Sequence, residues 1–117
     1  MSMNMVGRAI EFRVKSGSRP TLQTTIKDDE GVARDLSNTV TFAGGKWKVW
    51  KPDGTLIING NITYVTRASG IISYTLTTAD TAIANAGNWS GEIELLDSSS
   101  VISEQTKTFN FVIEESY

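Results

Sequence analysis

The sequence predicts an all-β chain, folded as an antiparallel sandwich or barrel, and three observations carry that reading. Its 117 residues hold 11 Ile, 8 Val and 14 Thr against only 6 Leu, and β-branched side chains suit a pleated sheet better than a helix. Apolar and polar residues alternate with period two in most segments. Turn signals recur about every ten residues, a spacing typical of short antiparallel strands rather than βαβ units. The length suits one domain, since domains usually hold about 100–200 residues.

Ile10, Phe12 and Val14 alternate with Glu11, Arg13 and Lys15, a half-buried first strand. Leu22, Thr24 and Ile26 alternate next, and Asp28-Asp29-Glu30-Gly31 turns the chain, with Gly31 free to take positive φ. Val40 and Phe42 suggest a short strand, ended by Gly44-Gly45. Residues 46–51 and 55–59 form a hairpin across Lys51-Pro52-Asp53-Gly54, where Pro presets φ and Asp bonds the local backbone. Asn59-Gly60 reads as a further turn into 61–66, and Ala68-Ser69-Gly70 as another before Ile72, Tyr74 and Leu76 share a face. Residues 78–84 supply at most one short helical turn, with Thr78 as its cap and Asp80 near its start. Residues 87–96 place Trp89, Gly91, Ile93 and Leu95 on one face and Glu92 and Glu94 on the other. After the Asp97-Ser98-Ser99-Ser100 loop, residues 101–114 form one long last strand with Phe109, Phe111 and Ile113 inward.

Composition excludes several chemistries. There is no Cys and no His, so disulfides, thiol nucleophiles, imidazole bases and ordinary zinc, copper or haem ligation are absent. The net charge of -2 does not suit nucleic acid, which needs a basic face. No apolar run approaches the ~20 residues of a bilayer span, and the first residues lack the pattern of a signal peptide. Synthesis and folding in a reducing cytoplasm are therefore expected. The Asn-x-Ser/Thr triplets at Asn61 and Asn88 read as chance in a chain without an export signal.

Several segments, in this order, resemble a known pattern. They are Glu11–Gly17, Arg19-Pro20-Thr21-Leu22, Ile26–Gly31 with Asp35-Leu36, and Val49-Trp50-Lys51-Pro52-Asp53-Gly54-Thr55. Ala68–Leu76, Ala86–Leu95 and Phe109–Ile113 complete the series. The chain is similar, over residues 8–114, to the immunoglobulin-like domain at the N-terminus of phage baseplate upper proteins and related prophage tail proteins. The resemblance implies that the seven to eight strands read above form an Ig-like antiparallel β-sandwich; residues 1–7 are expected to be an arm and 8–117 the domain. It implies a non-enzymatic virion structural protein with no cofactor and no catalytic or metal-binding residue. Such a domain is expected to dock in several copies onto other phage structural proteins of the tail, baseplate, neck or major capsid. Relatives usually continue into a helical or fibre region, whereas this sequence ends at Glu114-Glu115-Ser116-Tyr117; an accessory or capsid decoration protein therefore fits as well.

The candidate contact residues are Met1, Met3, Met5, Lys46, Lys48 and Trp50. Trp47 shares a strand face with Val49 and points inward, leaving Trp50 on the outer face with the two lysines. An exposed Trp among basic residues is an interface anchor, or else it lies flat under the lysine stems. The three methionines are adaptable side chains that either reach a neighbouring subunit or fold back on their own domain. Free strand edges are further candidates. Trp89, Tyr64 and Tyr74 read as core. Asp28, Asp29 and Glu30 read as a solvated turn rather than a calcium site. Glu92 and Glu94 read as an outer-face pair rather than a glycosidase pair. Residues 1–51 carry a net +4 and residues 52–117 a net -6, which either favours head-to-tail contacts between copies or is a coincidence of strand surfaces. The alternative function is a soluble carbohydrate- or receptor-binding module, taking a host-surface glycan on loops at one end, around 50–55 and 97–100.

Overall fold

The computed structural model describes residues 11–115. Its nine strands are β1 (Glu11–Lys15), β2 (Thr21–Thr25), β3 (Gly44–Trp50), β4 (Leu56–Asn61), β5 (Thr63–Thr66), β6 (Ile71–Thr75), β7 (Gly87–Leu96), β8 (Ile102–Gln105) and β9 (Phe109–Glu114). They form two sheets. The larger runs β1-β9-β7-β3-β4, with β8 also pairing β7, and the smaller runs β2-β6-β5. Every strand pair is antiparallel except β1 with β9. That exception follows from topology: a first strand in the same sheet as the last can run alongside it without a hairpin.

The core lies between the sheets, where the period-two alternation puts the apolar residues. Trp47, Val49, Ile58, Ile93, Leu95, Phe111 and Ile113 from the larger sheet meet Ile72, Tyr74 and Leu76 from the smaller. Trp47 is fully buried, edge-on to Phe12 at 4.9 Å and stacked on Tyr74 at 5.9 Å between ring centroids.

The hairpin turn forms as the Pro-Asp-Gly signal predicts. Gly54 takes φ +89° and the Asp53 carboxylate accepts the Thr55 N–H at 2.8 Å. At the Asp28 turn the carboxylate accepts two N–H groups, from Glu30 and Val32, and Gly31 takes φ +80°.

Three local readings are corrected. Val40 and Phe42 form no strand, because the Asn38 side chain accepts the N–H groups of Val40 and Thr41 and curls the chain into a turn. Asn59-Gly60 is no turn either: both residues lie inside β4, which runs to Asn61, and the chain changes sheets at Ile62. The last long strand is split into β8 and β9. Thr106 holds the break against β7, exchanging backbone and side-chain hydrogen bonds with Ile93. Helical structure is limited to 3-10 turns at Arg67–Ser69 and Ile83–Asn85 among the described residues. In the expected 78–84 turn it is the Thr77 hydroxyl, not Thr78, that accepts the Asp80 N–H.

Residues 26–43 cross between the sheets with one isolated bridge, Lys27 to Ala33. Arg67 anchors this segment: its guanidinium donates to the carbonyls of Leu36 and Phe42 and lies 4.1 Å over the Tyr64 ring. Arg67→Ala is expected to cost about 1–3 kcal/mol, the range for charged hydrogen bonds and buried acceptors left unpaired. Amide exchange would rise first in residues 34–43. Uniform acceleration across both sheets would count against an anchoring role.

Candidate functional site

The outer face of the larger sheet holds the predicted surface residues. Lys46, Lys48 and Trp50 alternate with the buried Gly45, Trp47 and Val49, so all three share one face as the spacing predicts. Trp50 is half-buried, and β4 sets the exposed Leu56 directly opposite it. The lysines are engaged within the chain. Lys46 donates to the Asn61 side chain at 2.6 Å, and Lys48 pairs with Glu94 at 2.9 Å. Trp50 and Leu56 therefore form the uncommitted part of this surface.

Glu92 and Glu94 stand on the same face. Gln105 donates its amide to both carboxylates, at 3.3 and 3.2 Å. Burial raises the Glu92 pKa above the ordinary carboxyl value; Glu94 repels in the same direction and Lys48 opposes it. An acid raised in the folded chain gives stability that is complete below its unfolded pKa and is lost as pH rises through its folded pKa. Glu92→Gln is therefore expected to melt higher than the parent at neutral pH. The advantage shrinks as pH falls through the carboxyl range, as thermal melts across a pH series would read; a difference independent of pH would contradict it. The amide of Gln105 still finds an acceptor in that variant, so the comparison isolates the charge.

The charge asymmetry along the sequence is largely consumed inside the fold. Arg13 and Lys15 pair with Glu114, Arg34 with Glu104, and Lys48 with Glu94. Each pair joins a cation from the first half to an anion from the second: β1 lies beside β9 and β3 beside β7, and the 26–43 segment brings Arg34 to Glu104 on β8. Sequence reasoning missed the Arg34–Glu104 pair, whose side chains are only 17% and 11% exposed. Seventy residues separate them, and no local pattern signals such a contact.

The aromatic residues are divided. Tyr74 is buried and its hydroxyl donates to Asp80 at 2.5 Å; burial first, then Asp80, raises its pKa. Tyr64 is half-buried, donates to the Gly44 carbonyl at 2.7 Å, and is pushed up to about 12 by burial against the opposing charge of Arg67. Trp89 is half-buried at the core margin, donates to the Asn85 carbonyl, and lies under Lys51 at 5.3 Å.

The two loops expected to share one end lie at opposite ends. Along the β3–β7 ladder Trp50 pairs with Ser90 and Gly44 with Leu96. The 51–54 turn and the 97–100 loop are thus six residue steps apart, about 20 Å. A single rim built from both is excluded by the register. An open cleft of about 480 Å³ is lined instead by Arg19, Thr75, Leu76, Thr77 and Thr78. No group of three or more Asp, Glu, His or Cys residues converges as a metal site among the described residues. Met1, Met3 and Met5 lie outside the described residues.

The model of the BppU N-terminal domain family matches residues 2–117. Among solved structures, the chain is similar to the N-terminal domain of phage TP901-1 ORF48, with a TM-score of 0.71 at 9% identity over 96% of this chain and 95% of that one. This likeness shows a shared fold. CopC from Methylosinus trichosporium OB3b matches at TM-score 0.46 and 11% identity, over 90% of this chain and 86% of that one. Fibronectin(III)-like modules of Clostridium thermocellum CbhA match at 0.49 and 13%, over 98% and 99%; both likenesses are too loose to argue from. No curated protein sequence matches significantly.

Proposed function

The chain belongs to the BppU N-terminal domain family, the N-terminal domain of phage baseplate upper proteins, and from that premise we propose that it docks onto other virion proteins in several copies, without catalysis. A structural role in the phage tail or baseplate follows from the family. The finer reading concerns how it docks. The observation that carries it is the pair Trp50 and Leu56, adjacent across β3 and β4 on an outer face whose two lysines are already engaged within the chain, Lys48 by Glu94 and Lys46 by the Asn61 amide. Large side chains surrounded by satisfied polar groups are what interface anchors look like. Residues 1–7 serve as a second contact, as an arm over a neighbouring subunit. Decoration of a capsid or neck remains the same chemistry at another address.

The test is particle incorporation. Trp50→Ala with Leu56→Ser is expected to keep the fold and reduce incorporation by about tenfold or more, since losing an anchor of about 1.4 kcal/mol or more has that effect. Deleting residues 2–6 is expected to lower incorporation independently. Unchanged incorporation in both would remove this docking reading, and near-UV circular dichroism would show that the variants are folded.

A second reading, glycan or receptor binding, is favoured by the open cleft, whose lining combines Arg19 with Thr75, Thr77 and Thr78. Amide shifts confined to residues 75–78 on titration with host-surface oligosaccharides would support it.

A further inference from the structure

We infer that the free edge of β2 is a self-pairing surface, onto which β2 of a second copy of this chain adds antiparallel about a two-fold axis through Gln23. The hydrogen bonds from Leu76 N–H to the Pro20 carbonyl and from Ile26 N–H to the Gly70 carbonyl set the phase of the β2–β6 ladder. Pro20, Leu22, Thr24 and Ile26 therefore face β6, and Thr21, Gln23 and Thr25 turn their N–H and C=O groups away from it. Among the described residues no backbone hydrogen bond engages those three.

Unpaired edges invite strand addition unless charge, a bulge or a cover blocks it, and the other edges are blocked. β1 carries Glu11, Arg13 and Lys15. β4 has a register shift beside Trp50, β5 has one between Tyr64 and Thr66, and β8 has one opposite Leu95 and Leu96. Glu104 on β8 is also held by Arg34. β2 pairs β6 in unbroken register and carries no charge in Thr21-Leu22-Gln23-Thr24-Thr25. The sheet face beside it continues uncharged through Ile71, Ser73 and Thr75 on β6 and Thr63 on β5.

The occupant follows from symmetry. A two-fold through Gln23 sets Gln23 against its own copy and Thr21 against Thr25, so three residues that point outward on one strand meet the same three on the other. Each facing pair exchanges both backbone hydrogen bonds. Facing threonines are a favourable cross-strand pair, and none of the three facing pairs is charged; Arg19 and Lys27, which the same register sets opposite each other, lie beyond the strand ends and confine the pairing to these three positions. The added strand is about 17 Å long and covers far less than the roughly 800 Å² per partner of a stable interface. The contact is therefore weak between free chains and acts between copies already held side by side, at effective concentrations of about millimolar. It is independent of which virion protein the domain docks onto.

The chain has no cysteine, so single cysteines trap the pair cleanly. Facing Cα atoms about 5.5 Å apart lie within disulfide reach. Under mild oxidation the full-length Gln23→Cys chain is expected to dimerise at least about tenfold faster than Val65→Cys, whose site is also exposed; tenfold corresponds to about 1.4 kcal/mol of pairing. Adding Thr21→Lys and Thr25→Lys to Gln23→Cys sets lysine against lysine and is expected to abolish the advantage. Adding Thr21→Glu with Thr25→Lys sets opposite charges together and restores it. Equal rates for the 23 and 65 cysteines, or equal behaviour of the two charge combinations, would overturn the pairing. So would fast trapping that appears only after residues 1–7 are removed, which would assign the edge to the chain's own N-terminal segment.

Discussion

Trp47→Ala is expected to lose about 3–5 kcal/mol, the range for truncating a large buried aromatic. Trp47 is 0% exposed and touches the rings of Phe12, Tyr74 and Phe109, so its removal opens a void that no single neighbour can fill. Folded domains hold only about 5–15 kcal/mol in reserve. The variant is therefore expected to be largely unfolded or aggregated on expression, with urea midpoints as the measure. Trp47→Phe tells the cause apart. The indole N–H of Trp47 has no hydrogen-bond partner, so phenylalanine loses volume but also removes a buried donor that costs about 1–3 kcal/mol unpaired. It is expected to keep well over half of the stability that alanine loses. An alanine variant within about 1 kcal/mol of the parent would mean that the core is less dependent on this ring than its burial implies.

The second large effect is at Gly60. A Cβ there would collide with the Tyr74 ring at Cε1, Cζ and the hydroxyl. Tyr74 has little room to yield, since its ring stacks on Trp47 and its hydroxyl is held by Asp80. Gly60→Ala is expected to cost about 2–3 kcal/mol, at the upper end for overpacking, and to lower the melting temperature by roughly 10–20 °C in a domain of this size. Gly44→Ala is the control. It lies in β3 with open space around its Cβ position, and is expected to change little. Truncating the obstacle should rescue the glycine variant: Tyr74→Leu combined with Gly60→Ala is expected to be more stable than the sum of the two single losses. Strict additivity would place the strain somewhere other than this contact.

Gly60 also shows where local reading fails. Asn59-Gly60 carries the turn signal of a hairpin, yet it sits mid-strand because a tyrosine from the opposite sheet needs the space. Val40 and Phe42 fail for a different reason. Their alternation is real, but Asn38 captures the backbone N–H groups that a ladder would use. At Lys51-Pro52-Asp53-Gly54 the signal succeeds, because everything that forms the turn lies within the turn itself.

The candidate surface divides in the same way. The shared face of Lys46, Lys48 and Trp50 was readable, since period two alone dictates it. That both lysines are engaged, by Asn61 and Glu94, was not, because those partners come from neighbouring strands. The separation of the 51–54 and 97–100 loops likewise depends on the β3–β7 register, which no residue spacing encodes.

The absence of helix-forming patterns, the β-branched composition and the recurrent turn signals determined an all-β antiparallel fold from the sequence alone, and the ordered series of segments that resembles the Ig-like baseplate domain narrowed sandwich or barrel to a sandwich. Tertiary structure alone decided which cations meet which anions, which glycine admits a tyrosine, and which edge is left open. Those outcomes rest on contacts between residues tens of positions apart, and only the pairing order of the strands brings them together.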